Sequence, residues 1–577
     1  MRRWLKYVKP YKKYFILGPL CMIIEVIGEV LMPKFLAGII NDASTAPEVS
    51  YIVLSSILMI VTALLMMLGG VGGAWFGAKA AINFAGDLRE EIYSKVQKFS
   101  FANIDKFSTG SLVTRLTNDV TQLQNFVNML LRMCLRSPGM LIGGLIMAIT
   151  MNARLAVVLA VAIPLIAIVQ AVVIKKGFTR FGKMQNKIDS LNSTVQENLT
   201  NVRVVKSFVR EDFEREKFSS ANSELKNAGM SAMKVMIVMM PILTLIMNLS
   251  SLAVVWFGGK QVIVGDMLLG DLTAFLTYIN QILFSLMMLT MLFINSSRAL
   301  ASSKRIREVL DEKVDLNDDN ALYKDKKVEK GTVEFRNVGF RYYKSSEEKV
   351  LDGISFTVEG GKTVGIIGST GCGKTTLVSM IPRLYDVDEG EVLVDGVNVK
   401  DYSLVSLREG VSMVLQKNVL FSGTIEENLR WGDENATMAE LEAAAKSAQA
   451  HGFIEGFADG YSTELEQGGV NVSGGQKQRL CIARALLNKP KILILDDSTS
   501  AVDTATEAHI RKAFATELAG TTKIIIAQRI SSVIDADEII VMDDGRITGI
   551  GSHEQLIKTN TEYQEIYNSQ MDSKEVG

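Results

Sequence analysis

Cysteine, histidine and excess positive charge are all scarce in this sequence. Its 577 residues include only three histidines and four scattered cysteines, and the formal net charge is −1. The cysteines are Cys21, Cys134, Cys372 and Cys481. No two have metal-ligand spacing, so we expect reduced, unpaired thiols and no histidine-rich metal site. Nucleic acid is not an expected partner, because binding it requires a basic excess that neutralises phosphates.

A cleavable signal peptide is also missing from the amino terminus. The segment "MRRWLKYVKPYKK" carries six basic residues and no acidic one. The apolar stretch that follows is long and has no small-residue cleavage site. We therefore interpret it as a first membrane span that is retained.

Apolar residues, in contrast, are abundant. They make up 48% of the chain, against 22% charged residues, and the mean hydropathy is +0.20. This composition is too apolar for a purely soluble enzyme and too charged for a bundle of membrane helices alone. The length allows two to four domains, so we expect a membrane part joined to a soluble part.

Six apolar segments are long enough to cross a bilayer, which takes about 20 helical residues. They lie near residues 14–40, 51–79, 129–151, 155–175, 233–258 and 270–296. Three of the connections are short and hold two basic residues between them. The other two, near 80–128 and 176–232, are long and charged, so the positive-inside rule places them and both chain termini in the cytoplasm.

The carboxyl-terminal part has a different pattern. We expect an all-α membrane domain over 1–312, a polar linker over 313–331 and an α/β nucleotide-binding domain over 332–577, where strands and helices alternate with glycine turns. In "VGIIGSTGCGKTTL", a short aliphatic strand leads into a glycine loop and a helix. Gly368, Gly373, Lys374 and Thr375 fit the phosphate-loop pattern, in which backbone N–H groups surround the phosphates, the lysine reaches them and the threonine ligates Mg²⁺.

Three further residues are candidates for the same site. Asp496 ends the apolar run "ILIL", which predicts a buried strand with a carboxylate that holds Mg²⁺ or caps a loop. Gln416 is either a further metal ligand or an ordinary loop glutamine. Tyr342 either stacks on adenine or is a structural tyrosine.

The segment "NVSGGQKQRLCIARAL" completes a set of motifs. With the phosphate loop, "LILDD", "SAVD" and "IIIAQRISS", it resembles the ATP-binding cassette (ABC) family, and six spans ahead of the cassette resemble an exporter half-transporter. The resemblance implies two cassettes that bind ATP and Mg²⁺ head to tail, each triphosphate lying between one phosphate loop and the other subunit's signature helix. The positions implied to contact nucleotide are Tyr342, Gly368, Ser369, Thr370, Gly371, Cys372, Gly373, Lys374, Thr375, Thr376, Gln416, Ser473, Gly474, Gly475, Gln476 and Asp503; those implied to hold metal are Thr375, Gln416 and Asp496.

Two catalytic positions depart from the family pattern. Asp497 stands where a glutamate usually polarises the attacking water, and Gln528 stands where a histidine usually contacts the γ-phosphate. Aspartate is one methylene shorter, so its carboxylate retreats by about 1.5 Å, whereas a general base must lie within about 3 Å of its proton. With Lys374, these residues form a site that we expect to bind ATP well and hydrolyse it slowly. Gln467 is a milder departure.

These features lead to a functional hypothesis. We expect one subunit of a heterodimeric, ATP-driven exporter of amphipathic compounds, of the multidrug type, in a bacterial cell membrane. Its partner would be a sister half-transporter with the usual glutamate and histidine. Alternatives are a lipid or peptide exporter, or a mainly regulatory ATP-binding subunit. By the same resemblance, residues 103–120 and 201–214 contact the cassettes; otherwise they are ordinary amphipathic helices.

The sequence gives weaker indications of the substrate. Glu25 and Glu29 lie on one face of the first span, where they either attract cationic compounds or pair with Arg132 and Arg136. Methionines are dense in the last two spans, which suits either an adaptable site or simple packing: Met236, Met239, Met240, Met247, Met287, Met288 and Met291. Asn248, Asn280 and Gln281 either line a cavity or join helices.

Overall fold

A computed structural model describes residues 3–45, 48–319, 321–342, 344, 347–497 and 504–575. Its amino-terminal half is helical throughout. The helices are α1 Leu5–Val8, α2 Lys12–Thr45, α3 Val49–Gln97, α4 Phe101–Lys106, α5 Thr109–Thr114, α6 Val120–Met151, α7 Ala156–Thr200, α8 Val202–Ser207, α9 Glu211–Val264 and α10 Leu269–Asp311.

Six long helices in the described part of the chain are apolar enough to cross a membrane, which confirms the six predicted spans. They are α2, α3, α6, α7, α9 and α10, together with short flanking helices. Backbone polar groups cannot bond to water inside a bilayer, so a helix that bonds within itself is the stable form for such segments. Several helices continue well past the apolar stretch: α9, for example, has 54 residues and begins in a charged segment.

The chain divides into two compact units. The first contains residues 1–97 and 109–311, and the second contains residues 98–108 and 312–577. Helix α4 therefore packs with the second unit, although it lies between two membrane helices in sequence. A capping box of Ser100 and Asn103 begins this helix, and Asn103 Nδ2 also donates to the Lys313 carbonyl oxygen at 3.0 Å.

The described residues of the second unit form three β-sheets. The strands are β1 Val333–Phe340, β2 Leu351–Val358, β3 Thr363–Gly368, β4 Glu389–Val394, β5 Val397–Asn398, β6 Val411–Val414, β7 Gly423–Thr424, β8 Glu464–Leu465, β9 Ile492–Asp496, β10 Thr522–Ile526, β11 Glu538–Asp543 and β12 Arg546–Gly551. The helices are α11 Lys374–Ser379, α12 Leu404–Gly410, α13 Ile425–Leu429, α14 Met438–Ser447, α15 His451–Glu455, α16 Gly474–Leu487, α17 Thr504–Glu517, α18 His553–Thr559 and α19 Thr561–Glu575.

The largest sheet has the strand order β12-β11-β3-β10-β9-β6. All neighbours are parallel except the edge pair β11 and β12. Side chains of β9 alternate between two cores: Leu493 and Leu495 pack on one face, and Ile492 and Ile494 on the other. A central parallel strand covered on both faces is therefore an unbroken apolar run.

The strand order also determines where the functional loops meet. Strand β10 lies between β3 and β9, so the carboxyl ends of these three parallel strands point to the same edge of the sheet. The phosphate loop follows β3, Asp496 ends β9, and Gln528 follows β10 closely. Ligands bind at this edge in open α/β sheets.

Candidate functional site

The phosphate loop is a tight turn that depends on glycine. Gly368, Gly371 and Gly373 all have positive φ, at 157°, 91° and 94°. A Cβ on Gly368 would meet the Met542 carbonyl oxygen of β11, so a side chain is excluded there. Gly373 then leads into α11. The loop residues Ser369 to Cys372 thus wrap the amino end of α11, where backbone N–H groups and the helix dipole favour an anion.

Polar side chains converge at the base of this loop. Lys374 Nζ donates to the carbonyl oxygens of Gly368 and Ser369, at 2.8 Å in each case. Thr375 Oγ1 donates to Asp496 Oδ1 at 3.0 Å. The structure therefore brings together the lysine, the threonine and the strand-end aspartate that the sequence analysis placed in one site.

Asp496 has the properties of a ligand for a hard cation. Its side chain is buried, and its Oδ2 atom has no hydrogen-bond partner in the described part of the chain. Burial raises the pKa of this carboxyl, and the neighbouring Asp497 raises it further, while the bond from Thr375 lowers it. A buried carboxylate with a free oxygen, next to a threonine hydroxyl, matches the oxygen ligands that Mg²⁺ prefers, so the residues present fit this ion.

The two positions that depart from the family pattern touch each other. Gln528 Nε2 donates to Asp497 Oδ2 at 2.8 Å. The backbone N–H of Asp497, which has a positive φ of 48°, donates to the Ile526 carbonyl oxygen at 3.1 Å. Burial raises the pKa of the Asp497 carboxyl, whereas hydrogen bonds from Gln416 and Gln528 lower it. Sequence reasoning treated Asp497 and Gln528 as separate changes; only the adjacency of β9 and β10 makes them a pair.

Tyr342 lies beside the phosphate-loop helix. Its hydroxyl is 2.9 Å from Thr376 Oγ1, and the residue is 44% exposed. Tyr385, which the sequence analysis did not single out, packs edge-on against Tyr342 at 5.4 Å and donates its hydroxyl to Asp105 of α4 at 2.9 Å. Burial and the Asp105 carboxylate raise the pKa of Tyr385. No local motif marks this tyrosine, because its partners are distant in sequence.

The signature residues lie at the amino end of α16. Ser473 caps this helix and exchanges two hydrogen bonds with Gln476, which form a capping box. In the described ranges, neither side chain is hydrogen-bonded to the phosphate loop. Further along α16, Gln478 Nε2 donates to the Asp497 carbonyl oxygen at 3.2 Å. Asp503, predicted to contact nucleotide, lies outside the described residues.

The loop segments predicted to contact the cassettes are short helices. Residues 103–120 contain the end of α4, α5 and a π-helical turn, Arg115–Asp119. Residues 201–214 contain α8, and Phe208 and Val209 directly after it are strongly exposed. An aromatic and a valine exposed side by side form a small apolar surface at this turn.

The glutamates of the first span are paired. Arg136 Nη1 lies 2.9 Å from Glu25 Oε1, and Arg136 Nη2 lies 3.2 Å from Glu29 Oε2. Arg132, the other predicted partner, is exposed and makes no ion pair with either glutamate among the described residues. Of the predicted methionines and amides, Met247, Met288, Asn280 and Gln281 line a cavity with Glu29 and Arg136.

Comparison with known proteins agrees with this architecture. Residues 15–287 match the family described as ABC transporter transmembrane region, and residues 351–500 match the family described as ABC transporter. The chain is 38% identical over 570 residues to the uncharacterized ABC transporter ATP-binding protein YfiB of Bacillus subtilis, covering 99% of this chain and 98% of that protein. It is 34% identical over 582 residues to YgaD of the same organism, a putative multidrug export ATP-binding/permease protein, with 99% of both covered.

A solved structure is similar over nearly the whole chain. It is a bacterial Atm1-family ABC exporter with ATP bound, and the TM-score is 0.79 at 27% identity. The match covers 97% of this chain and 98% of the other. The similarity therefore extends over both the membrane part and the nucleotide-binding part of this chain.

Proposed function

The chain belongs to the ABC transporter family as an exporter half-transporter and a transport ATPase, and from this premise we propose that it is the slow-site subunit of a heterodimeric exporter of amphipathic compounds. The observation that carries the proposal is the pair of Asp497 and Gln528. These residues stand at the two positions that normally activate water and contact the γ-phosphate, and they are hydrogen-bonded to each other at 2.8 Å.

The remaining residues of the site suit tight binding. Lys374 and the phosphate loop would hold the β- and γ-phosphates of ATP. Thr375 and Asp496 would hold Mg²⁺, with Gln416 nearby; when bound, this ion neutralises charge on the phosphates. These residues all match the family pattern, so we expect this site to bind ATP with ordinary affinity.

The water-activating step is the one that is weakened. The Asp497 carboxylate is set back by about one carbon–carbon bond, or ~1.5 Å, and one of its oxygens already accepts a hydrogen bond from the Gln528 amide. A neutral amide also cannot carry the charge or shuttle the proton that a histidine can. Loss of a positioned base typically lowers the rate by about 10²–10⁴-fold.

A second site would supply the turnover. In a head-to-tail dimer, Ser473–Gln476 of this chain would face the phosphate loop of a sister subunit. If that subunit has glutamate and histidine, its site is fast while this one stays filled. We also place the protein in a bacterial cell membrane with both termini in the cytoplasm, in line with the six basic residues at the amino terminus. The multidrug substrate range is supported by the similarity to YgaD, which is described as a multidrug export protein.

The test restores the usual pair. We expect Asp497→Glu together with Gln528→His to raise ATP hydrolysis by the purified chain alone by at least about 10²-fold. The matched control is the same double variant carrying Lys374→Ala, which should remain inactive. Inverted vesicles containing the co-purified sister subunit would then report transport of amphipathic dyes. A homodimer of the unaltered chain that hydrolyses ATP and pumps dye at the rate of the restored variant would refute the heterodimer.

A further inference from the structure

The carboxyl-terminal helix α19 presents one face to the core of the second unit. Four residues recur along it at spacings of three and four and therefore share one side of the helix: Tyr563, Ile566, Tyr567 and Gln570. Tyr563 is fully buried, and Ile566 and Tyr567 are partly buried against the same core. Gln570 thus places an amide at the position where the apolar pattern of this face would continue.

The Gln570 amide bonds to the backbone on both sides of Arg529. Its Nε2 atom donates to the Gln528 carbonyl oxygen at 2.8 Å, and its Oε1 atom accepts from the Ile530 backbone N–H at 2.9 Å. Strand β10 ends at Ile526, so these two backbone groups lie beyond the sheet and are paired elsewhere. One side-chain amide supplies both partners, which fixes the main chain directly after the strand.

Gln528 connects this backbone contact to the candidate site. Its side-chain Nε2 donates to Asp497 Oδ2 at 2.8 Å, and it stands at the position that normally contacts the γ-phosphate. A side chain is held accurately toward a ligand only when surrounding groups also hold its backbone. The end of α19 is therefore joined to the nucleotide site through the main chain of a single residue.

We propose that Gln570 is a positioning residue for Gln528, and that the end of α19 thereby determines how strongly the site prefers a triphosphate to a diphosphate. Only the triphosphate has the γ-phosphate that Gln528 would reach. Without the two bonds from Gln570, the backbone after β10 can rotate, and the Gln528 amide is directed less well. This inference deepens the proposed function by naming a control on the same site, and it rests on that proposal for the contact between Gln528 and the γ-phosphate.

The experiment compares two nucleotides without turnover. The full-length chain in lipid nanodiscs binds the fluorescent nucleotide mant-ADP with Mg²⁺, and either AMP-PNP, a triphosphate analogue that resists hydrolysis, or ADP displaces it. Gln570→Met keeps the length of the side chain and a good helix former but removes both hydrogen bonds. We expect it to lower AMP-PNP affinity by about threefold to tenfold, since a hydrogen bond to a charged group is weakened, and to leave ADP affinity unchanged. An unchanged ratio of the two affinities would overturn the proposal.

A double-mutant cycle separates positioning from a structural role. Gln528→Ala should lower AMP-PNP affinity by about tenfold and leave ADP binding unchanged. If Gln570 acts through Gln528, adding Gln570→Met to Gln528→Ala causes no further loss, so the two changes are not additive. Additive losses would mean that Gln570 acts by another route, and the proposal would then be wrong.

Gln564→Met is the matched control on the same helix. Gln564 Nε2 donates to the Ile557 carbonyl oxygen of α18 at 2.9 Å, so this change also removes a bond from a side-chain amide to the main chain, but not at residues 528–530. It should leave the affinity ratio unchanged, and an equal shift in this variant would refute the assignment to Gln570.

A second substitution keeps the test decisive if Gln570→Met does not fold. In Gln570→Glu, the carboxylate still accepts from the Ile530 N–H but cannot donate to the Gln528 carbonyl oxygen. We expect the same selective loss of AMP-PNP affinity. An affinity ratio equal to that of the unaltered protein would again overturn the proposal.

Failure of this inference and failure of the proposed function can be told apart. The binding measurements require neither the sister subunit nor hydrolysis, so a homodimer that pumps dye at the full rate would leave the affinity ratios standing. If Gln528→Ala leaves AMP-PNP binding unchanged, the assumed contact with the γ-phosphate fails, and the inference fails with it. If Gln528→Ala weakens AMP-PNP but Gln570→Met does not, only the role of Gln570 is refuted.

Discussion

At the residue scale, two neighbouring aspartates of the candidate site have different surroundings. Asp496 is buried, bonded to Thr375 and left with one unpartnered oxygen. Asp497 follows it in a left-handed conformation and is held by the amides around it. The surroundings of Asp496 thus fit a metal ion, whereas the proposed function requires that the Asp497 carboxylate activates water poorly.

The role of Asp496 predicts a specific variant. Asp496→Asn keeps an oxygen that can accept from Thr375 but removes the charge, so we expect the Mg²⁺-dependent gain in ATP affinity to fall by at least about tenfold. The measurement is binding of a fluorescent ATP analogue to the full chain with Mg²⁺ or with EDTA. Asp459→Asn, an exposed aspartate between α15 and β8, is the control. Unchanged Mg²⁺ dependence in Asp496→Asn would contradict the assignment.

At the element scale, the strand order and a few side-chain clamps hold the second unit together. Asp395 is one such clamp. Its carboxylate, at the turn between β4 and β5, accepts hydrogen bonds from the backbone N–H groups of Glu329, Lys330 and Thr332 at 2.7–2.9 Å. It therefore ties the segment that precedes β1 to the antiparallel sheet.

This clamp predicts a dependence of stability on pH. Burial raises the pKa of Asp395, but the backbone hydrogen bonds lower it by more, so that it lies below its ordinary value of 3.8. A carboxyl with a lowered folded-state pKa stabilises the protein at higher pH and loses this contribution as the pH falls below about 4 through the folded pKa. Asp395→Asn should thus destabilise the second unit by about 1–3 kcal/mol at pH 7. It should also make the stability of this unit depend less on pH in the acid range.

Thermal unfolding of the full chain in nanodiscs between pH 3 and 7, followed by circular dichroism, would measure this difference. Asp459→Asn, an exposed aspartate in the same unit, should follow the unaltered protein. If Asp395→Asn lowered the unfolding temperature by the same amount at every pH, the charge of Asp395 would not be the source of its stabilising effect.

At the scale of the whole molecule, the proposed asymmetry assigns different consequences to the two nucleotide motifs of one chain. On this proposal, the phosphate loop of this chain would serve its own slow site, and the signature helix α16 would serve the fast site of the sister subunit. Damage to the signature should then be more harmful than damage to the phosphate loop.

Gly475→Asp tests this difference. A carboxylate in the first turn of α16 is favourable to the helix but repels a triphosphate, so we expect steady-state ATP hydrolysis of the co-purified heterodimer to fall by about 10²-fold or more. Lys374→Ala in this chain should lower it by less than about tenfold. Gly475→Ala, which adds no charge, is the control. Equal losses from Gly475→Asp and Lys374→Ala would indicate two equivalent sites.

Much of this organisation was predictable because the decisive signals are local. Six spans follow from runs of apolar residues, and the phosphate loop follows from glycine positions that only a tight turn explains. The carboxyl-terminal strand β9 was recognisable because a strand buried on both faces is uniformly apolar. Tyr385 and Asp395 were not found, since their partners, Asp105 and residues 329–332, are distant in the chain.

By itself, the sequence determined the secondary-structure types, the family and the two positions that depart from its pattern, because these depend on residue types within local motifs. The tertiary structure alone decided which groups meet. Strand order made Asp497 and Gln528 hydrogen-bond partners, and helix packing placed two glutamates against one arginine. Contacts between distant segments depend on the packing of whole elements, so a local sequence pattern does not predict them.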